Sequence, residues 1–442
     1  MRSITVAGTG YVGLVTGVCL AEVGHTVTCV DTVQEKINLL NQGISPIYEP
    51  GLDELILKNK NEGRLQFTTD YQNAYAHSDV IFIAVGTPEN EDGSANLNYI
   101  YAVAKQIAKA ATQDCLVVVK STVPIGTNER VEQIMKENVR TDIHIEVASN
   151  PEFLSQGTAV RDTLHASRIV IGVESERAKA TLTEMYTPFH QPILAMNRRS
   201  AEMVKYASND FLALKISFIN DIANLCETVG ANIEDVTNGM SYDNRIGDKF
   251  LQAGVGYGGS CFPKDTKALH WLAEEAGYVL RTVKAAIEVN EKQKFKLITK
   301  ARQDFLTFQG KKVAVLGLTF KPGTDDLREA PSIPNIRLLL NEGACVHAYD
   351  PVGVANFKKL YPTEITYETS IENALDKADI CFIFTEWPEI KNMDLTLFET
   401  KMKTPFIYDG RNCFELVDVQ QQNIVYQSIG RKAIHLYKQK VY

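Results

Sequence analysis

At 442 residues the chain is long enough for two or three domains, and its 45% apolar and 23% charged composition is that of a globular protein. A net charge of −8 with no basic block speaks against a nucleic-acid partner, but leaves room for an anionic small ligand met by a few local Lys and Arg residues. No apolar run is long enough to span a bilayer, so no membrane partner is expected. The eight cysteines (19, 29, 115, 226, 261, 345, 381 and 413) form no CxxC pair and no zinc-ligand spacing, so no metal is expected. With no signal peptide before the first strand, a reducing cytoplasm is the expected compartment. Cys29, Cys115 and Cys381 lie in or beside apolar runs, where buried free thiols are common.

The first third alternates strands and helices. Ile4–Ala7, Thr26–Val30, Val80–Val85, Leu116–Val119 and Glu146–Ser149 are short apolar runs separated by helical stretches, as in a parallel sheet with crossover helices. Gly8-Thr9-Gly10-Tyr11-Val12-Gly13 follows the first strand and opens a helix expected to run from Tyr11 to Val23 and stop at Gly24. In this fingerprint the first Gly permits a tight turn, the second lets backbone approach a pyrophosphate, and the third lets helix pack on strand. Asp31 ends the second strand, 23 residues after Gly8, where an acid binds ribose hydroxyls and repels a 2′-phosphate. The cofactor expected is therefore NAD. Gly86-Thr87-Pro88 and Ser121-Thr122 end later strands. They either line the cofactor cleft or are turns chosen for their Gly and Pro.

Near Ser200 the pattern changes. Ser200–Val229 lacks strand punctuation, and Val204, Phe211, Leu214, Phe218, Ile222 and Leu225 mark an apolar face at helical spacing. This face is either a subunit interface or an intradomain core face. Helices are expected to continue to about Arg302, interrupted by Gly254-Val255-Gly256-Tyr257-Gly258-Gly259-Ser260-Cys261-Phe262-Pro263-Lys264-Asp265. There a glycine-rich turn delivers a thiol to a helix start, with Pro263 in the first turn and Thr266–Glu275 continuing it. Unpaired N–H groups, the positive end of the helix dipole and nearby Lys264 all favour the thiolate of Cys261. An activated cysteine in a chain that binds a dinucleotide points to oxidation through a covalent sulfur intermediate.

From Lys311 the first pattern returns. Val313-Ala314-Val315-Leu316-Gly317 resembles Ile4-Thr5-Val6-Ala7-Gly8, Ala344–Tyr349 ending at Asp350 resembles Thr26–Val30 ending at Asp31, and Lys377–Phe384 resembles His77–Ala84. This weak repeat implies an α/β chain with two Rossmann-like doubly wound domains joined by a long central helix and a helical middle. The second copy lacks the full fingerprint, and its Lys321 is either a phosphate ligand or a solvated loop lysine.

These residues together resemble the nucleotide-sugar (UDP-glucose/GDP-mannose) dehydrogenase family, and within it the bacterial UDP-glucose type. The match runs nearly end to end, from the Gly8 fingerprint to Tyr408-Asp409-Gly410-Arg411. Its most specific blocks are Asn150-Pro151-Glu152-Phe153-Leu154, Ala201-Glu202-Met203-Val204-Lys205-Tyr206 with Asn209, the Cys261 segment, and Lys321-Pro322-Gly323-Thr324-Asp325-Asp326. The resemblance implies four-electron oxidation of UDP-glucose to UDP-glucuronate with two NAD⁺, by a homodimer. It implies an NAD-binding domain over 1–198, a helical dimerisation domain carrying the cysteine over 199–302, and a UDP-sugar-binding domain over 303–442.

The family's site residues carry over one by one. Cys261 would capture the aldehyde, Lys205 and Asn209 would stabilise an oxyanion at the C6 oxygen, and Glu152 and Asp265 would assist acid–base work. The bland alternatives are a solvent-exposed Lys205 and an Asp265 that only caps its helix. Lys36, Lys264 and Arg328 would join Gly8, Gly10, Tyr11, Val12, Gly13, Asp31, Gly86, Thr87, Pro88, Ser121 and Thr122 at the cofactor. Phe153, Leu154, Phe250, Leu251, Tyr257, Gly258, Lys321 and Arg411 would border the sugar nucleotide, and Arg245 would reach a neighbouring subunit's substrate. Gln156 stands where the family often has Glu, which puts one contact near the nicotinamide ribose in doubt. GDP-mannose or an N-acetylated UDP-hexosamine is the alternative substrate. A two-electron hydroxyacid dehydrogenase and a non-catalytic NAD-sensing protein are the competing readings.

Overall fold

The computed structural model describes residues 1–438. The chain divides into two compact units, Met1–Ser208 with Trp271–Ala276, and Asn209–His270 with Gly277–Tyr442. The first is built on an eight-stranded sheet with strand order β3-β2-β1-β4-β5-β6-β7-β8. Its strands are β1 (Ser3–Ala7), β2 (Thr26–Val30), β3 (Leu65–Thr68), β4 (Val80–Ile83), β5 (Cys115–Val119), β6 (Ile145–Ser149), β7 (Ile169–Gly172) and β8 (Ile193–Met196). Pairing is parallel throughout except between β6 and β7. All four residues of β4 are buried, because helices cover both faces of the sheet. Val80 and Phe82 join the core on one face with Leu14 and Val18, while Ile81 and Ile83 join the other with Ile100 and Ile107.

Strand β1 pairs with both β2 and β4, so the order reverses beside it, and ligands bind at the carboxyl ends of strands at such a point. The turn there is held closely. Gly8 has φ +103°, its N–H donates to Val30 O (2.7 Å), and a Cβ on it would lie 2.7 Å from Ala84 O. The helix Tyr11–Glu22 comes directly after, and a Cβ on Gly13 would lie 2.0 Å from Gly8 O.

The second unit carries a seven-stranded sheet with strand order β11-β10-β9-β12-β13-β14-β15. Its strands are β9 (Lys312–Leu316), β10 (Cys345–Tyr349), β11 (Thr366–Tyr367), β12 (Ile380–Ile383), β13 (Phe406–Asp409), β14 (Val425–Gln427) and the antiparallel β15 (Ile434–His435). The order of the first six strands repeats that of the first sheet, as the paired motifs predict. The repeat extends to single bonds. Gly317 has φ +86° and donates to Tyr349 O (2.8 Å), and Asp350 Oδ2 accepts from the N–H groups of Leu318 and Thr319, as Asp31 does from Thr9. The copies diverge after the glycine, since the next helix of the second unit begins only at Ser332.

The helix expected from Ser200 runs Arg198–Val229, 32 residues and about 48 Å at the α-helical rise. Its buried stripe is not the one that apolar periodicity picks out. Ala213, Ser217, Ile219, Asn220 and Ala223 are buried, whereas Phe211, Phe218 and Leu225 are 60%, 49% and 55% exposed. For these three residues the intradomain-core alternative is therefore wrong. Small and polar residues with Ile219 let the helix pack closely inside the chain, and Phe211, Phe218 and Leu225 point away from it. Among the described residues no helix is long and apolar enough to cross a membrane.

The Gly13 contact is with backbone and cannot be relieved by a rotamer change. Gly13→Val is expected to destabilise the protein by about 1–3 kcal/mol and to weaken NAD binding. Urea denaturation and calorimetric NAD titration of the variant check this.

Candidate active site

In the first unit the residues around the Gly8 turn fit a dinucleotide. A Cβ added to Gly10 meets nothing within 4 Å, which leaves the helix N-terminus open to a pyrophosphate. Asp31 Oδ2 accepts from Thr9 N (2.9 Å) and Thr9 Oγ1 (2.6 Å), Oδ1 accepts from Val33 N (3.0 Å), and Lys36 Nζ lies 3.9 Å away. Burial opposes ionisation of Asp31, but the bonds from Thr9 and Val33 hold its carboxyl below the ordinary value. Thr87 Oγ1 donates to Thr122 O (3.0 Å) and Ser121 Oγ to Val85 O (2.7 Å), so the segments after β4 and β5 are bonded to each other at the carboxyl edge. Tyr11 Oη donates to Tyr48 O (3.0 Å), and Val12 packs against the core.

The segment after β6 and the start of the long helix build a charged cluster in the same unit. Lys205 Nζ donates to Glu152 Oε1 (2.8 Å), with the two side chains 3% and 5% exposed. The exposed-lysine alternative is thereby removed. Glu152 Oε2 accepts from Leu154 N (2.7 Å), which shapes the turn. Lys120, which the sequence did not single out, donates to Asn150 Oδ1 (3.0 Å). Burial pulls its ammonium down to about 8, with Lys205 acting the same way and Glu152 opposing. Arg168, also unforeseen, lies 4.0 Å over the Phe153 ring, and Leu154 packs on the core. A cavity of about 240 Å³ lies beside Lys120, Glu152, Phe153, His165 and Arg168. Gln156 is buried at the next turn.

In the second unit the glycine-rich segment is bonded along its length. Gly254 N donates to Asn220 Oδ1 (2.8 Å), Tyr257 N to Asn290 Oδ1 (2.8 Å) and Gly259 N to Arg328 O (2.8 Å). A Cβ on Gly258 would lie 2.4 Å from Glu329 O. The next helix spans Phe262–Glu275, with Pro263 in its first turn as expected, so Cys261 stands immediately before it. Its carbonyl accepts from Asp265 N (2.8 Å), and its thiol is partly exposed, 3.7 Å from Ser260 Oγ. Burial instead pushes the thiols of Cys19, Cys29 and Cys115 up to about 12. Accessibility with a helix N-terminus singles out Cys261.

Asp265 is 1% exposed, and its Oδ2 accepts from Asn209 Nδ2 (2.7 Å) and its Oδ1 from Lys264 Nζ (2.5 Å). It is thus bonded to the long helix and does more than cap its own. The remaining residues named from the sequence spread along this unit. Phe250 has φ +64°, its ring centroid is 6.1 Å from that of Phe262, and Tyr257 stands edge-on to the same ring. Leu251 is buried. Lys321 Nζ lies 5.7 Å over Phe320. Arg411 donates to the carbonyls of Phe384 (2.8 Å), Phe320 (3.0 Å) and Gly256 (3.3 Å) and so joins three loops. Arg328 closes on Asp326 (2.6 Å), and the largely exposed Arg245 on Asp243 (2.7 Å).

A strand–Gly–helix turn with an acid at the second strand defines an NAD-dependent oxidoreductase. The UDP-glucose/GDP-mannose dehydrogenase family matches along the chain: its NAD binding domain at residues 2–190, its central domain at 199–292 and its UDP binding domain at 314–416. The chain belongs to this family. It is 50% identical over 432 residues to UDP-glucose 6-dehydrogenase YwqF of Bacillus subtilis, covering 98% of each chain. It is 44% identical to the UDP-glucose 6-dehydrogenase of Pseudomonas aeruginosa, covering 97% of each. Among solved structures, a UDP-glucose dehydrogenase from Pyrobaculum islandicum superposes with a TM-score of 0.92 at 38% identity, covering 98% of each chain.

Removing one partner of a buried ion pair leaves the other charge uncompensated. Glu152→Leu and Lys205→Met are each expected to cost on the order of 3 kcal/mol, and the double variant less than their sum by about 2 kcal/mol. Urea denaturation of the four proteins measures this coupling.

Proposed function

We propose that this chain oxidises UDP-glucose at C6 to UDP-glucuronate, and that Cys261 holds the intermediate covalently. The observation that carries the reading is Cys261 itself, a partly exposed cysteine at a helix start beside the buried Asp265–Asn209 pair, with Lys264 bonded to Asp265. Identity of 40–50% to UDP-glucose 6-dehydrogenases over nearly the whole chain supports UDP-glucose as the substrate. A UDP-N-acetyl-mannosamine dehydrogenase of Staphylococcus aureus is 26% identical. In this reading 1–198 binds NAD, 199–302 is the helical dimerisation domain and 303–442 binds the UDP-sugar. Its last four residues lie outside the described ones. The enzyme works in the cytoplasm.

Bound NAD supplies the hydride acceptor for each of the two oxidations. Lys205 and Asn209, four residues apart on the long helix, donate to the C6 oxygen as negative charge develops there. Loss of a hydride from C6, with the hydroxyl proton passing to water, gives the aldehyde; Cys261 thiolate adds to its carbon, making a carbon–sulfur bond and a thiohemiacetal whose carbon still carries a hydride. Loss of that hydride leaves a thioester. Water attacks the thioester carbonyl, the carbon–sulfur bond breaks, Cys261 leaves as thiolate, and Glu152 takes up the water proton. The net change is alcohol plus water plus two NAD⁺ to carboxylate, two NADH and three protons. Asp265 holds Asn209 in place.

The exposed stripe of Phe211, Phe218 and Leu225, spaced seven residues apart with Val229 beyond, supports a homodimer formed on this helix. Arg245, largely exposed and bonded to the nearby Asp243, would then act at the partner's substrate.

Purified protein with UDP-glucose and NAD⁺ is expected to form two NADH per sugar nucleotide. Cys261→Ser is expected to lose completed turnover, because an alkoxide captures the aldehyde poorly and the resulting ester hydrolyses slowly. One NADH per sugar, or wild-type turnover by Cys261→Ser, contradicts the covalent reading. Activity only with GDP-mannose or N-acetylated UDP-sugars moves the substrate assignment. Phe218→Glu is expected to yield monomers by light scattering after gel filtration, and an unchanged mass would place the interface elsewhere.

A further inference from the structure

The long helix carries a carboxyl that the proposed chemistry does not use. Asp210 follows Asn209 and is 3% exposed, and neither of its oxygens has a hydrogen-bond partner among the described residues. Buried polar groups are normally paired, and an ionised carboxylate without a donor is costly to bury. The charged groups that act on it are Asp265 and Lys264, both on the helix that Cys261 precedes. Tyr257 of the glycine-rich segment feels Asp210 in turn, together with Glu291 of the helix Arg281–Gln293. On Asp210's own helix Asn209 is committed to Asp265, and Ser217 donates to Ala286 O (2.7 Å). No donor therefore replaces the solvent that Asp210 gives up. Burial, with Asp265 adding to it and Lys264 opposing, pushes the carboxyl up to about 8.

We infer that Asp210 is a positioning residue for the reactive cysteine: a proton held on its carboxyl leaves Asp265 as the single negative charge at that helix start, with Lys264 and Asn209 bonded to it. Loss of the proton places a second carboxylate beside Asp265. It competes for the Lys264 ammonium and adds negative charge where a thiolate must form. The site is then active with Asp210 neutral and impaired with it ionised, so alkaline conditions reduce turnover through a residue that acts by way of Asp265 and Lys264. This inference rests on the reading of Cys261 as the nucleophile.

The test compares wild type with Asp210→Asn, which is neutral at every pH. One readout is the pH profile of kcat with saturating UDP-glucose and NAD⁺. The other is the rate of Cys261 alkylation by iodoacetamide, resolved from the other cysteines by peptide mass spectrometry. The ratio of variant to wild-type kcat is expected to rise about tenfold between pH 7 and pH 9, tracking one group that titrates near 8, and the alkylation ratio to rise in the same direction. Parallel profiles in both readouts overturn the inference, because a merely structural role would scale rates equally at all pH values. If wild type is silent with UDP-glucose, the substrate reading fails and the alkylation ratio alone decides the role of Asp210. If Asp210→Asn does not fold, Asp210→Ala serves the same comparison with the same expectation.

Discussion

Each of the two sheets depends on one backbone bond at the carboxyl end of its first strand. In the first unit Gly8 N–H donates to Val30 O, and in the second Gly317 N–H donates to Tyr349 O. Either bond forces the chain to turn within one residue of leaving the sheet, and each needs a left-handed residue to do so. An aspartate then fixes the turn from the neighbouring strand, Asp31 accepting from Thr9 and Asp350 from Leu318 and Thr319. The strand, the glycine and the acid form a unit whose parts are far apart in sequence. This explains why a repeat of low identity keeps the same strand order.

The two copies part at the segment after the glycine. In the first, the helix starts at Tyr11 and turns its N-terminus to the carboxyl edge of the sheet. In the second, about fifteen residues intervene before the helix at Ser332, and the loop is used for packing. Phe320 O receives Arg411, Arg328 O receives Gly259 N, and Glu329 O crowds Gly258. The cysteine segment is thus supported by the loop that replaces the dinucleotide turn.

The fold was legible where local chemistry and burial agree. The β1 turn, the Cys261 helix start and the second copy are each marked by Gly, Pro or Asp at fixed offsets. Strands β3, β7 and β8 were missed, and of these β8 leaves Leu194 exposed and lacks the apolar density of the central strands. On the long helix the hydrophobic pattern pointed to Phe211, Phe218 and Leu225, while the chain itself buries Ala213, Ser217 and Ala223. Periodicity finds the apolar stripe but not what covers it. Lys120, Arg168 and Asp210 escaped notice for a related reason. A charged residue carries no sequence mark of its burial, and only the folded neighbours of Asp210 reveal a carboxyl without a donor.

The two charged clusters share a rule of composition with opposite signs. In the first unit two ammonium groups, Lys120 and Lys205, surround one carboxylate, Glu152. In the second, two carboxyls, Asp210 and Asp265, face one ammonium, Lys264. A low-dielectric setting tolerates a matched pair far better than an unmatched third charge. The odd member in each cluster is therefore the one that burial drives toward neutrality, Lys120 downward and Asp210 upward, both to about 8. Each cluster so keeps one close ion pair, Lys205 with Glu152 and Lys264 with Asp265, beside one group that burial holds near neutrality.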